Sequence, residues 1–228
     1  METYVVRVWM PDRPGALGQV ASRIGAVRGD VVGIDILERG AGRAIDELAV
    51  RLPDPGLLDL LVAEIRAVDG VDVEDVRLAG DALPDPRLDA LETAALLVAA
   101  THGDALLGSL VERTRHDLAA VWAAVVDRAA PGTRASVGDA PSTAWLQAFV
   151  EGSRSSATVA AGEGGPDDVA WAALPAASLS IVLGRTGRPL RARERRQLAA
   201  FARIADARWV ELARQGDGSH ARLAARPA

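Results

Sequence analysis

The sequence predicts an α+β protein of two domains, in which a βαββαβ unit precedes a second mixed unit that ends in a long helix. Over residues 1–79 the hydrophobic period alternates between two residues, typical of strands, and about 3.6, typical of helices. A segment rich in Pro, Gly and Asp, residues 80–87, then interrupts the pattern, and the periodicity restarts after it. A chain of 228 residues is long enough for two such domains.

The first strand is predicted to turn directly into the first helix. Residues 4–10 alternate with period two, and apolar residues recur at helical spacing from Leu17 to Val27. The turn between them reads Asp12-Arg13-Pro14-Gly15-Ala16-Leu17. The first N–H groups of a helix have no partner within the helix, so they must bind a cap, water or an acidic ligand. This turn is therefore the place where the sequence hints at a ligand.

The rest of the first domain is predicted as a strand over 31–39, a strand over 44–52, a helix over 56–68 and a strand over 71–78. Gly40-Ala41-Gly42-Arg43 is typical of a hairpin turn. The apolar positions change parity between Val73 and Val76, which predicts a bulge near Glu74 and Asp75. Two helices on one face of a four-stranded antiparallel sheet form the ferredoxin-like arrangement, which leaves the other face to water or to a partner.

The second domain is predicted as a helix over 88–101, a helix capped by Asp104, a buried strand over 118–126, a short strand over 134–137, a helix over 143–151, strands over 168–174 and 178–184, and a helix over 192–212. The first of these helices carries an apolar stripe, which we expect to face the core: Leu88, Leu91, Ala95 and Val98. We expect the Gly- and Ser-rich residues 152–166 to be mobile and residues 214–228 to be a disordered tail.

Composition excludes several classes of function. The net charge is −5, and neither half of the chain is basic, which argues against nucleic-acid binding. All 26 basic residues are Arg, which we attribute to a GC-rich bacterial genome. With no cysteine, disulfides, thiolate metal sites and cysteine nucleophiles are excluded. No uncharged run is long enough for a membrane span and no signal peptide is recognisable, so we expect a cytoplasmic protein.

The residues that could carry chemistry do not form a recognisable active site. His102, His116 and His220 lack the spacing of metal ligands, and no G-x-S-x-G motif is present. The Arg residues between 185 and 196 are interpreted as the solvated start of the last helix. We therefore predict no catalytic residue, no metal and no cofactor. Trp9 lies on the sheet side opposite the helices, and we expect it in a dimer contact.

The βαββαβ order together with Asp12-Arg13-Pro14-Gly15-Ala16-Leu17 resembles the ACT domain, a small regulatory module of amino-acid metabolism, over residues 3–78. The resemblance implies that two such domains pair and that a free amino acid binds between the first loop of one and a strand of the other. It implicates Asp12, Arg13, Pro14, Gly15, Ala16 and Leu17 as ligand-binding residues. By position in the fold, it also implicates Gly33 and Ile34. On the residues alone, Asp12 remains equally readable as the helix N-cap.

Residues 88–212 resemble the GAF domain, a small-molecule-sensing fold, mainly where Leu183–Leu190 leads into the last helix. The expected organisation is therefore an ACT-like domain over 1–79, a linker over 80–87, a GAF-like domain over 88–213 and a tail over 214–228. We expect a homodimeric, non-catalytic regulatory or sensor protein that binds an amino acid and acts on an unidentified regulated protein. Two alternatives remain open: an enzyme with an unrecognised active site in 88–212, and an interaction module without a small ligand.

Overall fold

The structure, a computed structural model, describes residues 1–79, 85–156 and 166–224. The chain splits into two compact units, Met1–Asp85 with Arg191–Arg193, and Pro86–Leu190 with Glu194–Ala228. The division between the first long segments falls inside the predicted linker, of which residues 80–84 lie outside the described residues.

The first unit contains four strands and two helices in the predicted order: β1 (Glu2–Pro11), α1 (Ala16–Ala26), β2 (Asp30–Gly40), β3 (Arg43–Leu52), α2 (Leu58–Arg66) and β4 (Asp72–Leu78). A short 3-10 turn, Pro55–Leu57, precedes α2. The strands form one antiparallel sheet in the order β2-β3-β1-β4. The predicted mixed α/β class and the βαββαβ order are therefore confirmed for this unit.

The core of the first unit lies between one face of the sheet and the two helices. Alternate residues of β1 and β3 face the helices because side chains of a strand point to opposite sides in turn. The helices contribute residues at helical spacing, and these side chains are almost completely buried: Val6, Val8, Leu48, Val50, Val20, Ile24, Leu61 and Ile65. The periodicity of the sequence thus correctly identifies the face that each element buries.

The hairpin between β2 and β3 closes as predicted. Ala41 and Gly42 both have positive φ, 49° and 74°, the backbone conformation that matches the twist of the flanking strands. The register of β2 against β3 shifts after Val31 and again after Ile36. Because of the first shift, Val31 and not Val32 packs against the core, a correction to the predicted alternation.

The predicted bulge in β4 is confirmed. Arg7 of β1 pairs with Asp75, and the next residue, Val8, pairs with Val73. Glu74 is therefore the extra residue on β4. The parity change in the sequence arises because the strand must insert one residue to keep its apolar side chains on the core face.

The sheet face opposite the helices holds a buried ion-pair cluster. Arg7 has no exposed surface, and its Nε and one terminal nitrogen donate to Glu47 Oε1 at 3.0 and 2.8 Å. Arg77 donates to both oxygens of Glu47 at 2.8 and 3.1 Å. The apolar neighbours on this face are also buried: Val5, Ile45 and Ala49. The expectation that this face is left to water is therefore wrong for its centre, because these strands are apolar on both sides there.

The second unit contains four helices and four strands among the described residues: α3 (Pro86–Ala99), α4 (Gly103–Asp117), β5 (Trp122–Asp127), β6 (Thr133–Val137), α5 (Thr143–Ser155), β7 (Val169–Leu174), β8 (Leu179–Gly184) and α6 (Ala192–Ala224). The sheet is antiparallel in the order β6-β5-β8-β7, so β5 is an internal strand, as predicted. Side chains of α3, α4 and α6 share one core cluster with the sheet, and α5 packs on the other face.

Helix α3 buries the opposite face from the one predicted. Thr93 and Leu97 are completely buried, whereas the predicted inward residues, which we call the outer stripe of α3, are exposed: Leu88, Leu91, Ala95 and Val98. Thr93 Oγ1 donates to Asp117 Oδ2 at 2.6 Å, which ties this side of α3 to α4. The prediction fails because α3 is apolar on both sides, so periodicity alone cannot choose between them.

Several boundaries in the second unit differ from the predicted ones. The cap of α4 is His102, whose Nδ1 accepts from Ala105 N at 3.2 Å, and not Asp104. Strand β5 begins at Trp122 because Leu118 closes α4. Helix α5 continues to Ser155, beyond the predicted end, and residues 157–165 of the predicted mobile segment lie outside the described residues.

The last helix, α6, extends to Ala224, past the predicted end at Leu212 and into the segment expected to be disordered. Glycines at 216 and 218 lower helix propensity, but the Ala- and Arg-containing residues after them favour a helix. Residues 225–228 lie outside the described residues. Within the described part of the chain, none of the helices combines the length and the apolar composition that a membrane span requires.

The Glu47 cluster predicts acid sensitivity. Burial raises the pKa of Glu47, but Arg77 and Arg7 together outweigh it and lower the pKa from 4.5 to about 2. A lowered folded-state pKa stabilises the fold above pH 4.5, and this contribution is lost as the pH falls toward 2. We expect hydrogen exchange to show that opening of β1 and β3 becomes easier by up to about 3 kcal/mol over this range. In Glu47→Gln this pH dependence should disappear; an unchanged profile would contradict the assignment.

Candidate functional site

The turn from β1 into α1 is exposed and held by backbone hydrogen bonds. Asp12 N donates to Gly42 O at 2.9 Å, which fastens the turn to the β2–β3 hairpin. Ala16 N donates to Arg13 O at 3.2 Å. Residues 12–15 are exposed, and Ala16 is buried against the core. The six predicted loop residues therefore lie together at one end of α1.

Helix α1 begins without a side-chain cap. Its N-cap is Gly15, in the left-handed region with φ 88°, and no side chain accepts a hydrogen bond from the first turn. Asp12 is therefore not the cap, which corrects one of the two readings of this residue. Ala16 N and Gln19 N have backbone acceptors, whereas the described residues provide none for Leu17 N and Gly18 N. Two amide donors at the positive end of the helix are free.

The space in front of these amides is open. A Cβ atom built on Gly15 or on Gly18 would meet no atom within 4 Å. A left-handed N-cap favours glycine, and the absence of a side chain there keeps the approach to the backbone clear. A small acidic group can therefore reach the end of α1.

A buried carboxylate lies on the core face of β3 in the same unit. Asp46 is opposite Val8 of β1 and Ile36 of β2, and it shares the helix-facing side of β3 with Leu48. Only 4% of Asp46 is exposed, and its Oδ1 has no hydrogen-bond partner. A buried carboxylate without a partner costs stability, so its retention on an apolar face calls for an explanation in function.

Electrostatics connect Asp46 to the turn. Burial raises the pKa of Asp46, the Arg39 guanidinium opposes this rise, and the Asp12 carboxylate adds to it. Arg39 Nε also lies 4.0 Å from Asp12 Oδ1. The end of α1 therefore combines free amide donors with two carboxylates and one guanidinium, the set of groups that suits a small molecule carrying both charges.

The predicted residues of the second strand lie on the sheet edge. Gly33 is opposite Ala49, where a Cβ atom would come within 3.3 Å of the Ala49 Cβ, so this position favours glycine. Ile34 is 47% exposed. In the described part of the chain, no hydrogen bond or ion pair joins Gly33 or Ile34 to residues 12–17. Within one chain, the structure does not bring the two predicted groups into direct polar contact.

Trp9, the residue expected in a dimer contact, has partners within its own unit. Its Nε1 donates to Glu74 Oε1 at 3.1 Å, and the Arg43 guanidinium lies 5.2 Å from the ring centroid. The side chain is half-buried. These contacts fix the orientation of the indole and leave its part in an interface a prediction.

Sequence reasoning missed Asp46 and Arg39. The signal for Asp46 was present, because an acidic residue occupies a core position of β3 between Ala44 and Leu48. Arg39 follows the second register shift of β2, so its side could not be read from simple alternation.

The Arg-rich segment before α6 is not a solvated surface, contrary to the prediction. Arg185 is 5% exposed and donates to the carbonyls of Leu118, Arg188 and Pro189 at 2.9–3.0 Å. Arg188 donates to Ala119 O at 2.9 Å. These guanidiniums hold chain ends together, so their donors are already committed to the fold.

A cleft of about 280 Å³ lies in the second unit between α5 and the β5–β6 loop. Gln147 Nε2 donates to Asp127 O and Ala130 O, and Asp127 Oδ1 accepts from Ala129 N and Ala130 N. Because these groups are already paired, the cleft offers fewer free donors than the end of α1. The described residues contain no group of three or more His, Asp or Glu that could hold a metal ion.

The chain was compared with known proteins. No protein-family model matches it, and no curated protein does. Among solved structures, the chain is similar to the ACT domain from GTP pyrophosphokinase of Chlorobium tepidum, with 19% identity and a TM-score of 0.28; the match covers 34% of this chain and 97% of that domain. It is also similar to the C-terminal domain of the MgtC protein from Mycobacterium tuberculosis, with 20% identity, a TM-score of 0.29, and coverage of 37% and 95%.

A third similar structure is a formyltetrahydrofolate deformylase from Pseudomonas putida KT2440, with 20% identity and a TM-score of 0.28. Here the match covers 40% of this chain and 36% of the enzyme. Identities and TM-scores this low establish neither a family nor a function for this chain.

Asp46→Asn should make the protein more stable at neutral pH. Because the folded-state pKa of Asp46 is raised, the ionised carboxylate destabilises the fold above that pKa, and the penalty vanishes below the unfolded value of 3.8. Urea unfolding should therefore show a larger free energy for Asp46→Asn at pH 7 and a shrinking difference as the pH falls toward 3.8. A variant that is less stable than the natural protein at pH 7 would contradict an unpaired, buried carboxylate.

Proposed function

We propose that this chain is a non-catalytic regulatory or sensor protein whose first unit is an ACT-like module that binds a free amino acid at the start of α1. One observation carries the proposal: an uncapped helix N-terminus opens to free space beside the unpartnered, buried carboxylate of Asp46. The six residues from Asp12 to Leu17 form the turn, as the resemblance implies.

The chemistry of the groups suits a zwitterion. The amides of Leu17 and Gly18, at the positive end of the α1 dipole, favour the carboxylate of a ligand. Asp46 and Asp12 favour its ammonium group, because a charge-assisted hydrogen bond would satisfy an oxygen that has no partner in the chain. An amino acid carries both groups a short distance apart, whereas a simple anion would meet the two carboxylates unfavourably.

The exposed edge of the first sheet supports a homodimer. Strand β2 is an edge strand with exposed Ile34 and Ile36, and unpaired edges tend to bind another strand. Ile36 is opposite Asp46 in register. Pairing through β2 would cover these isoleucines and would bring Gly33 and Ile34 of one copy toward the turn of another.

The second unit is proposed as a GAF-like sensor or interaction module. Its antiparallel sheet lies between α5 on one side and α3, α4 and α6 on the other, which is a three-layer arrangement. A ligand at the first unit would act on a regulated protein only through its different affinity for two states of the chain. The Arg-rich segment and the His residues supply no alternative chemistry that favours an enzyme.

A binding screen tests the proposal. Each common amino acid is added to the full chain, and binding is followed by thermal shift and calorimetry. At about 100 times the dissociation constant, a true ligand should add roughly 2.7 kcal/mol to the free energy of unfolding. Asp46→Asn and Asp12→Ala should each weaken binding, because each removes a carboxylate that faces the ligand ammonium.

The matched control is Asp59→Ala, which removes an exposed carboxylate from the first turn of α2 in the same unit. It should leave the affinity unchanged. If no amino acid shifts the unfolding of the natural protein, the proposal is wrong and the module is one of interaction alone. Equal weakening by Asp59→Ala and Asp46→Asn would indicate a general charge effect and would also contradict the site.

A further inference from the structure

The outer stripe of α3 is an apolar surface that the rest of the chain leaves exposed. Leu88, Leu91 and Val98 are 52%, 68% and 56% exposed, although α3 already buries Thr93 and Leu97 on its other side. A helix that is apolar around its circumference is normally buried on all sides. One side of α3 therefore lacks its partner.

The spacing of the outer stripe identifies the kind of partner. Leu88, Leu91, Ala95 and Val98 follow one another by three, four and three residues, which is the a and d pattern of a heptad repeat. Such a stripe packs best on a second helix with the same repeat. A second copy of α3 supplies that repeat, residue for residue.

The charges beside the stripe favour a parallel pair. With Leu88 as an a position, Arg87 is the preceding g position and Glu92 is the following e position, five residues later. In a parallel two-stranded pair, g of one helix lies beside the next e of its partner, so Arg87 of one copy meets Glu92 of the other, twice by symmetry. An antiparallel pair does not bring these opposite charges together.

We propose that α3 pairs in parallel with α3 of a second copy of this chain, with Arg87 and Glu92 forming the flanking ion pairs and the outer stripe forming the seam. Two heptads are short, so the pair associates weakly unless another contact raises the effective concentration. The pairing does not require a ligand at the first unit, and the two proposals can fail separately.

Cross-linking tests the seam directly. The natural chain has no cysteine, so a single introduced cysteine reports only its own position. Leu91→Cys occupies the seam, whereas Leu96→Cys is 48% exposed but lies away from it. Under a mild oxidant, we expect the disulfide-linked dimer of Leu91→Cys to form about tenfold faster or more than that of Leu96→Cys, because a disulfide needs the two Cβ atoms within about 4.5 Å.

Charge reversal tests the orientation. On the Leu91→Cys background, Arg87→Glu and Glu92→Arg should each slow cross-linking at low salt, and the double reversal should restore it. Equal rates for Leu91→Cys and Leu96→Cys would overturn the seam, including the case in which the stripe packs on the first unit of the same chain. Preferential cross-linking of Leu88→Cys with Val98→Cys in a mixture would overturn the parallel arrangement.

Discussion

The candidate site depends on the left-handed backbone of Gly15, which turns β1 into α1. A residue with a side chain pays a conformational penalty at φ 88°, so the position favours glycine, and glycine cannot cap the helix. The same constraint thus creates the turn, leaves the amides of Leu17 and Gly18 free, and keeps the approach to them open. The unpartnered carboxylate of Asp46 lies on the core face of the same sheet, so the groups that would hold opposite charges of a ligand belong to one small unit.

Much of the first unit could be predicted because each of its elements has one apolar side. The parity change between Val73 and Val76 located the bulge at Glu74 correctly, since a strand that keeps one face buried must insert a residue where its pattern slips. The loop of the candidate site was likewise visible as a turn between two clear periods. What alternation could not show was the role of Asp46, because the same pattern is compatible with a paired or an unpaired carboxylate.

The second unit was harder to predict because its elements are apolar on more than one side. In α3 the periodicity fits two opposite stripes, and only the packing of Thr93 and Leu97 shows which one faces the core. The Arg residues before α6 misled for a different reason, since arginine is common throughout this chain. Burial of Arg185 follows from the carbonyl groups that converge on it in three dimensions, and no local pattern records that convergence.

The guanidiniums of Arg185 and Arg188 have a consequence for cooperativity. They bind the carbonyls of Leu118 and Ala119, which end α4, from the turn that links β8 to α6. These two chain connections are far apart in sequence, yet neither can open without leaving buried charges unpaired. The end of α4 and the start of α6 should therefore belong to one unfolding unit, so that the two slowly exchange their amide protons together.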